Sequence, residues 1–485
     1  MSARPSRPFV RLALPLALAV AVPGQAAAAG FAPPVRISGH DQVHGATTVA
    51  VAPTGRTMVL YDRERQVGQR DVVDARVVVG AAPDVLSRPA PLRVPGAPKG
   101  IRADSTQLFA RQDGSFVLCL STRTRQGCAV APPTGGFGRF VRLPGTPKGM
   151  TALPRPDGSV VLLRSQVHER PGSAGIIDGT DLSVTVLGTD GRLGPEQVVS
   201  RSQDEQDYNG VPATTATAAD GTIAIAANMP AVPGKLGRVR LGIRLLAPGA
   251  DTFGPIVAVP APLLDDNNIE LLGGPAITVE YRTGDPFDQF DEHFVPRNAD
   301  GTFAPTLELP GAVAGAVDGT VVTLPGGGLF AVTSRVTTGA EDQDCFNPVT
   351  GVVGSGALTP EGQRTPSTQL STRGQIAWHE RALALTDGTV IAAWHDGVNE
   401  AGDRRVEASV RTPGAPRFTT GQRLAPLLGY SGEPILAGAG PHAALVWPTS
   451  TAGHPDGLVL SVYRTGGPYA KSAPLPKHPG TSCDE

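Results

Sequence analysis

The chain has 485 residues, 42 basic and 44 acidic side chains for a formal charge of −2, and 60 glycines and 47 prolines. Only five of the cations are lysine (Lys99, Lys148, Lys235, Lys471, Lys477), and no basic run forms, which excludes a surface that tracks nucleic acid and a polybasic membrane binder. Helical periodicity is weak and turn formers are abundant, so an all-β protein is expected.

In chain order the first element is a leader. Arg4, Arg7 and Arg11 precede an apolar run from Leu12 to Val22, and the small-residue exit Gln25-Ala26-Ala27-Ala28-Ala29 comes directly after it. This is the pattern of a secretory signal peptide over residues 1–29, cleaved after Ala28 or Ala29. The run is too short to span a bilayer, and no later apolar stretch is long, so removal is expected rather than an uncleaved anchor. Loss of the three leader arginines takes the formal charge from −2 to −5. The mature protein is expected to be secreted or extracytoplasmic, without a membrane span, and monomeric.

A repeat dominates the rest of the chain. Leu92-Arg93-Val94-Pro95-Gly96-Ala97-Pro98-Lys99-Gly100-Ile101 returns 49 residues later as Val141-Arg142-Leu143-Pro144-Gly145-Thr146-Pro147-Lys148-Gly149-Met150, the length of one propeller blade. A second landmark is an Asp-Gly-Ser/Thr turn ahead of an apolar run: Asp113-Gly114-Ser115, Asp157-Gly158-Ser159, Asp220-Gly221-Thr222 and Asp387-Gly388-Thr389. Each reads as a tight hairpin between antiparallel strands. Degenerate copies at Gly55, Gly274, Gly327 and Gly440 bring the count to eight. A closing strand recurs at Phe137 to Leu143, Phe253 to Val259, Phe303 to Leu309 and Phe418 to Leu424.

Each unit therefore predicts a four-stranded antiparallel blade, and residues 30–480 a single all-β β-propeller domain, with 481–485 a tail. Phe31 to Ser38 reads as an orphan closing strand that would complete the last blade. Tyr469 to Pro476 competes for the same role, so eight repeats are counted with seven blades allowed. Two β-sandwiches are the rival arrangement.

Of the four cysteines, Cys119 and Cys128 flank a predicted hairpin and are expected to bridge it. Cys345 and Cys483 remain, and a bridge between them would tie the tail to a mid-chain loop. No CxxC motif or His/Cys cluster suggests zinc.

The pattern resembles the broad group of bacterial secreted β-propeller repeat proteins, including sialidase-like propellers, over most of the mature chain. The resemblance is architectural only. The nearest string to an Asp-box, Asn298-Ala299-Asp300-Gly301-Thr302-Phe303, lacks the leading Ser/Thr and the residue between Asp and Gly, so no sialidase catalytic residue is carried over.

If the Asp-Gly turns share one face, the second-strand ends and first-strand starts share the other, with the variable loops. Arginine recurs at five of the eight second-strand ends: Arg63, Arg123, Arg164, Arg282 and Arg335. With Arg381 and Trp378 these are the candidate ligand-binding residues, suited to a carboxylate or sulfate through bidentate contacts. A solvated strand end explains the same enrichment. The densest constellation, Trp378-His379-Glu380-Arg381 with Trp394-His395-Asp396, nominates His379, Glu380, His395 and Asp396 for acid/base work on a sugar. Trp394 and Trp447 occupy matching repeat positions, which points to packing between blades.

No cofactor is implied. Calcium is a candidate at Asp285, Asp288, Asp291 and Glu292 or at Glu341, Asp342 and Asp344, although neither string has EF-hand spacing. No nucleophile elbow, phosphate loop, HExxH or dinucleotide fingerprint occurs. The expected function is a secreted binder of a ligand, an anionic glycan or a cell-envelope component. The alternatives are a carbohydrate-active hydrolase or lyase on the loop face, and a structural envelope protein.

Overall fold

The eight apolar runs that come after the glycine turns become the second strand of eight antiparallel sheets. The computed structural model describes residues 30–464. Excepted are the connections 202–213, 231–238, 263–268, 286–288, 309–315, 337–350, 372–375, 398–403 and 425–432, and the shorter gaps 69, 83–84, 123–124, 145–148, 173–174, 299, 361–362, 416, 420 and 452–453. The leader, Cys345, Cys483 and the competing closing segment at Tyr469 to Pro476 lie outside the described residues.

Seven sheets run in chain order from the inside outward. Their inner strands are Gln42–Val51, Thr106–Ala110, Gly149–Pro154, Thr215–Thr217, Ile269–Leu272, Ala316–Thr323 and Ile376–Ala384. The eighth begins with Ile435–Ala439 and continues through His442–Thr451 and His454–Arg464. Its outer edge comes from the opposite end of the chain. Gly30 and Phe31 pair with Arg464 and Tyr463, and Val35 and Arg36 pair with Leu460 and Val459. Inner strands of neighbouring sheets touch all the way round, including the eighth against the first. The molecule is thus an eight-bladed propeller, and neither the two-sandwich arrangement nor the seven-blade count applies.

Alternation explains why the second strands read as continuous apolar runs rather than as half-polar strands. Successive side chains point to opposite faces, and both faces of a blade are covered by a neighbour. In the seventh blade Val390, Ala392 and Trp394 pack with Phe330, Val332 and Val353 of the sixth. Ile391 and Ala393 point the other way, into Leu445 and Trp447 of the eighth. The core is accordingly a ring of eight apolar layers, each between two blades. Trp394 and Trp447 both pack against the preceding blade.

The Asp-Gly turns join first and second strands on one face. Gly114 sits at φ +81°, a conformation that disfavours any residue with a Cβ. The aspartate contributes as well. Asp113 Oδ1 accepts from Ser115 N at 2.9 Å and Ser115 Oγ at 2.6 Å; the same bonds recur at Asp157–Ser159, and at Asp220 the Thr222 amide and hydroxyl donate to Oδ1 and Oδ2 respectively. These bonds, the Ser115 hydroxyl foremost, hold the Asp113 carboxyl below the usual carboxylate range. The fifth turn differs, because the Gly274 carbonyl accepts a hydrogen bond from Ala219 N of the fourth blade's turn.

Arginines lock this turn face from blade to blade. Arg56 Nη1 donates to the carbonyls of Gly114 (2.8 Å) and Pro132 (3.2 Å) in the second blade. Arg111 reaches Gly188 and Thr189 in the third, and Arg155 reaches Ala250 (2.7 Å) in the fourth. Burial pushes all three guanidinium pKa values down.

Cys119 and Cys128 face each other across the second and third strands of the second blade and form the expected disulfide. Both are buried in the layer shared with the third blade.

The fastening rests on few residues. Phe31 is 0% exposed and meets Tyr463 edge to face at 6.2 Å, while its amide donates to Gln422 Oε1 of the seventh blade at 2.7 Å. Phe31→Ala is expected to lower stability by about 3–5 kcal/mol. Val35→Ala, at a side chain 54% exposed in the same segment, is expected to change it by less than about 0.5 kcal/mol. Denaturant midpoints of the two variants check this.

Candidate functional site

Because the turns occupy one face, the second-to-third strand hairpins and the blade-to-blade connections occupy the other. Two hairpins project far on that side: Thr57–Val67 with Arg70–Ala82, and Val160–Gly172 with Gly175–Leu187. Charged side chains gather here on the first, fifth and seventh blades.

On the first blade, the turn between Val67 and Arg70 sets the register that brings Arg63 opposite Asp74. Arg63 Nη2 lies 2.9 Å from Asp74 Oδ1, and Nη1 lies 3.4 Å from Asp41. Arg76 approaches Asp41 at 3.4 Å. The Tyr61 hydroxyl donates to Asp41 at 2.8 Å. Burial, followed by Asp41, pushes the Tyr61 pKa up. Asp62 is fully buried and accepts from Ala103 N at 2.8 Å, with Arg102 3.5 Å away.

Four charges share one face of the fifth blade, because Glu270 pairs with Glu280 and Arg282 with Glu292 across adjacent strands. Arg282 lies 3.1 Å from Glu292 and 3.3 Å from Glu280. Burial, then the neighbouring Glu292 and Glu270, pushes the Glu280 carboxyl up to about 7, and Arg282 offsets only part of this. Burial also raises Glu292. The other face carries Tyr281 stacked on His293 at 4.8 Å, with Thr283 Oγ1 2.7 Å from His293 Nε2.

On the seventh blade the nominated residues do lie on adjacent strands, with Trp378 opposite His395 and Ala377 opposite Asp396. A bulge between Trp378 and Arg381 interrupts the alternation, so that His379 and Glu380 together oppose Trp394. Glu380 is 0% and His395 1% exposed. The neighbouring strand adds a third buried polar side chain, Arg405, also 1% exposed. Arg381 emerges beyond the bulge and lies 3.3 Å from Glu433 of the eighth blade. The side chains of Trp378, His379 and Asp396 lie outside the described residues.

The five second-strand arginines do not share one environment. Arg63 and Arg282 are half-buried ion-pair members on the first and fifth blades, across the ring from each other. Arg164 is a buried strut, 1% exposed. It donates to Gln126 (3.2 Å), Glu196 (3.0 Å) and the Pro144 carbonyl, tying the third blade to the second. Arg123 and the Arg335 side chain lie outside the described residues. Of the acidic loops proposed for calcium, only Glu292 has a described side chain. Among the described residues, no group of three or more His, Cys, Asp or Glu could hold a metal ion.

Sequence reading missed Asp41, Asp74 and Arg76. The signal for Asp74 was the hairpin register, which counting outward from the Gly68 turn recovers.

No protein-family model and no curated protein matches this sequence. Solved structures similar to it include a Dyadobacter fermentans protein of unknown function, 12% identical over 90% of this chain and 98% of that one, TM-score 0.36. A polysaccharide lyase of family PL25, an ulvan lyase, is 9% identical over 89% and 94%, TM-score 0.38. Prolyl oligopeptidase B from Galerina marginata is 12% identical over 86% of this chain and 56% of its own, TM-score 0.44. All three TM-scores fall below one half, so the chemistry of the site rests on this chain's own residues.

Glu280 gives a pH prediction. Its folded pKa of about 7 lies above the ordinary 4.5, so the protonated site is fully compatible with the fold below 4.5. As pH rises from there through 7 the unfolded state ionises first, and stability falls. Glu280→Gln is therefore expected to stabilise the protein at pH 8 by on the order of 1–3 kcal/mol and to leave it nearly unchanged at pH 4. Thermal melting of both proteins across that range reads the difference.

Proposed function

We propose that this chain is a secreted propeller whose loop face binds a neutral, hydroxyl-rich ligand, a glycan chain, without turning it over. The observation that carries the reading is the pairing of four partly exposed arginines described on that face, Arg63, Arg102, Arg282 and Arg381. Arg63 with Asp74 and Asp41, Arg102 with Asp62 and Asp104, Arg282 with Glu280 and Glu292, and Arg381 with Glu433 are all opposite-charge neighbours. Arginines compensated in this way present little net positive field to a polyanion. Their remaining N–H groups and carboxylate lone pairs suit sugar hydroxyls, which both donate and accept. The burial of Glu380 and His395 favours binding over acid/base catalysis at the seventh blade, because a proton carrier must come within hydrogen-bond reach of its substrate.

The export signal and the buried Cys119–Cys128 bridge support an extracytoplasmic setting for such a binder. A second reading, a hydrolase or lyase on the same face, rests on Glu280, whose pKa of about 7 suits proton transfer at neutral pH. Glu280 is only 3% exposed, so this reading requires substrate to open the Arg282 ion pairs that cover it. That reading moves the acid/base group from the seventh blade to the fifth.

A panel of neutral oligosaccharides and polyuronates, titrated at low and high salt with product analysis, separates these possibilities. The proposal expects a neutral chain to bind with less than about a twofold change in affinity on raising salt, Arg381→Ala to weaken it several-fold, and no product to form. Polyuronate affinity that collapses with salt would restore the anionic-glycan reading. Cleavage lost in Glu280→Gln would establish the enzyme.

A further inference from the structure

The turn face carries a cavity of different character. It lies between the outer strands of the sixth and seventh blades, has a volume of about 420 Å³, and is lined by Phe330, Thr365, Thr368, Arg411, Arg417 and Phe418 among others. Its place on the turn face is set by register, because Arg411 pairs with Val390, the residue after the Asp387–Thr389 turn. Phe330 and Phe418, one from each blade, meet at 5.4 Å and provide an apolar wall. The Arg411 guanidinium lies 5.8 Å from the centre of the Phe330 ring, and its Nε donates to the Ala415 carbonyl at 3.0 Å. That contact and that bond fix the side chain in place.

Charge sets this cavity apart from the loop face. Among the described residues no carboxylate pairs with Arg411 or Arg417, and none lines the cavity. Among the described residues, two guanidiniums therefore stand at one opening without a carboxylate partner, beside Thr365 and Thr368 of the fourth strand of the sixth blade. A planar carboxylate satisfies such donors through charge-assisted bonds. The phenylalanine wall suits the ring that bears it. The volume lies in the range of small-molecule sites, about 300–1,000 Å³.

We propose that this cavity is a binding site for a small ring carrying one carboxylate, separate from the loop face. The shared chemistry is the ring carboxylate, and its source is either a uronic acid or an aromatic acid. Calorimetric titration of the full-length mature chain with glucuronate and with benzoate distinguishes the two, with glucose and benzyl alcohol as uncharged counterparts.

The expected result is that one acid binds, its neutral counterpart does not, and Arg417→Ala weakens binding at least tenfold, with partial rescue by Arg417→Lys. Arg417 is exposed, so its removal leaves the fold intact, and an unchanged melting temperature verifies that. Binding must also survive Arg381→Ala, which places the ligand away from the loop face. Failure of both acids to bind at about 10 mM, a free energy weaker than about −3 kcal/mol, would overturn the proposal. So would equal binding of acid and neutral counterpart, or affinity unchanged in Arg417→Ala. None of these outcomes bears on glycan binding at the loop face.

Discussion

The structure depends on burial of every blade on both of its faces. A four-stranded sheet alone would leave both apolar faces in water. Here each sheet covers its neighbours, and the arrangement has no exposed end only if the last blade also meets the first. The layer shared by those two blades joins Val446, Leu458 and Leu460 to Val49, Val59 and Tyr61. The N-terminal strand completes the last blade and makes this closure covalently continuous with the rest of the chain. Ala32 N donates to the Val462 carbonyl at 2.9 Å, Ile37 N to Leu458 at 2.8 Å, and Ser461 Oγ to the Ala32 carbonyl at 2.6 Å. Residues more than 400 positions apart therefore form one sheet.

That constraint organises the polar chemistry as well. With both faces of each blade apolar, charged groups are confined to the two ends of the strands. The turn-face end uses arginine to bind carbonyls of the adjacent blade, so that Arg56, Arg111 and Arg155 act as cross-ties. At the loop-face end arginine instead meets carboxylates. Where a charge falls within the layers, as with Glu280, Arg164 or Glu380, the fold holds it out of water, and for Glu280 and Arg164 the result is a pKa displaced toward the neutral form.

The repeat was legible because its signals are local. An Asp-Gly-Ser/Thr turn needs three residues, and the run behind it is apolar because two neighbours cover it. Gly55, Gly327 and Gly440 were found despite lacking the aspartate, since the positive φ at the turn still demands glycine. The disulfide was legible for the same reason, with Cys119 and Cys128 at the two sides of one hairpin. Eight repeats were legible for the same reason, but the choice of eight blades over seven was not, because it depends on which terminal segment joins the last sheet, a contact between residues at opposite ends of the sequence.

The site was less legible. Arginines at equivalent strand ends looked alike in sequence, yet Arg164 points into a layer while Arg63 meets Asp74, and only the cross-strand register separates them. At the seventh blade the bulge at His379 and Glu380 likewise breaks the alternation by which neighbouring residues are assigned to faces, so sequence spacing alone does not place their side chains.

Amide hydrogen exchange at Ala32 and Ile37 tests the closure most directly. The account predicts protection comparable to that of Val446, within the same sheet, because both amides are bonded into the last blade. Exchange at the rate of a frayed terminus, with Val446 still protected, would show that the ring does not close through the N-terminal strand.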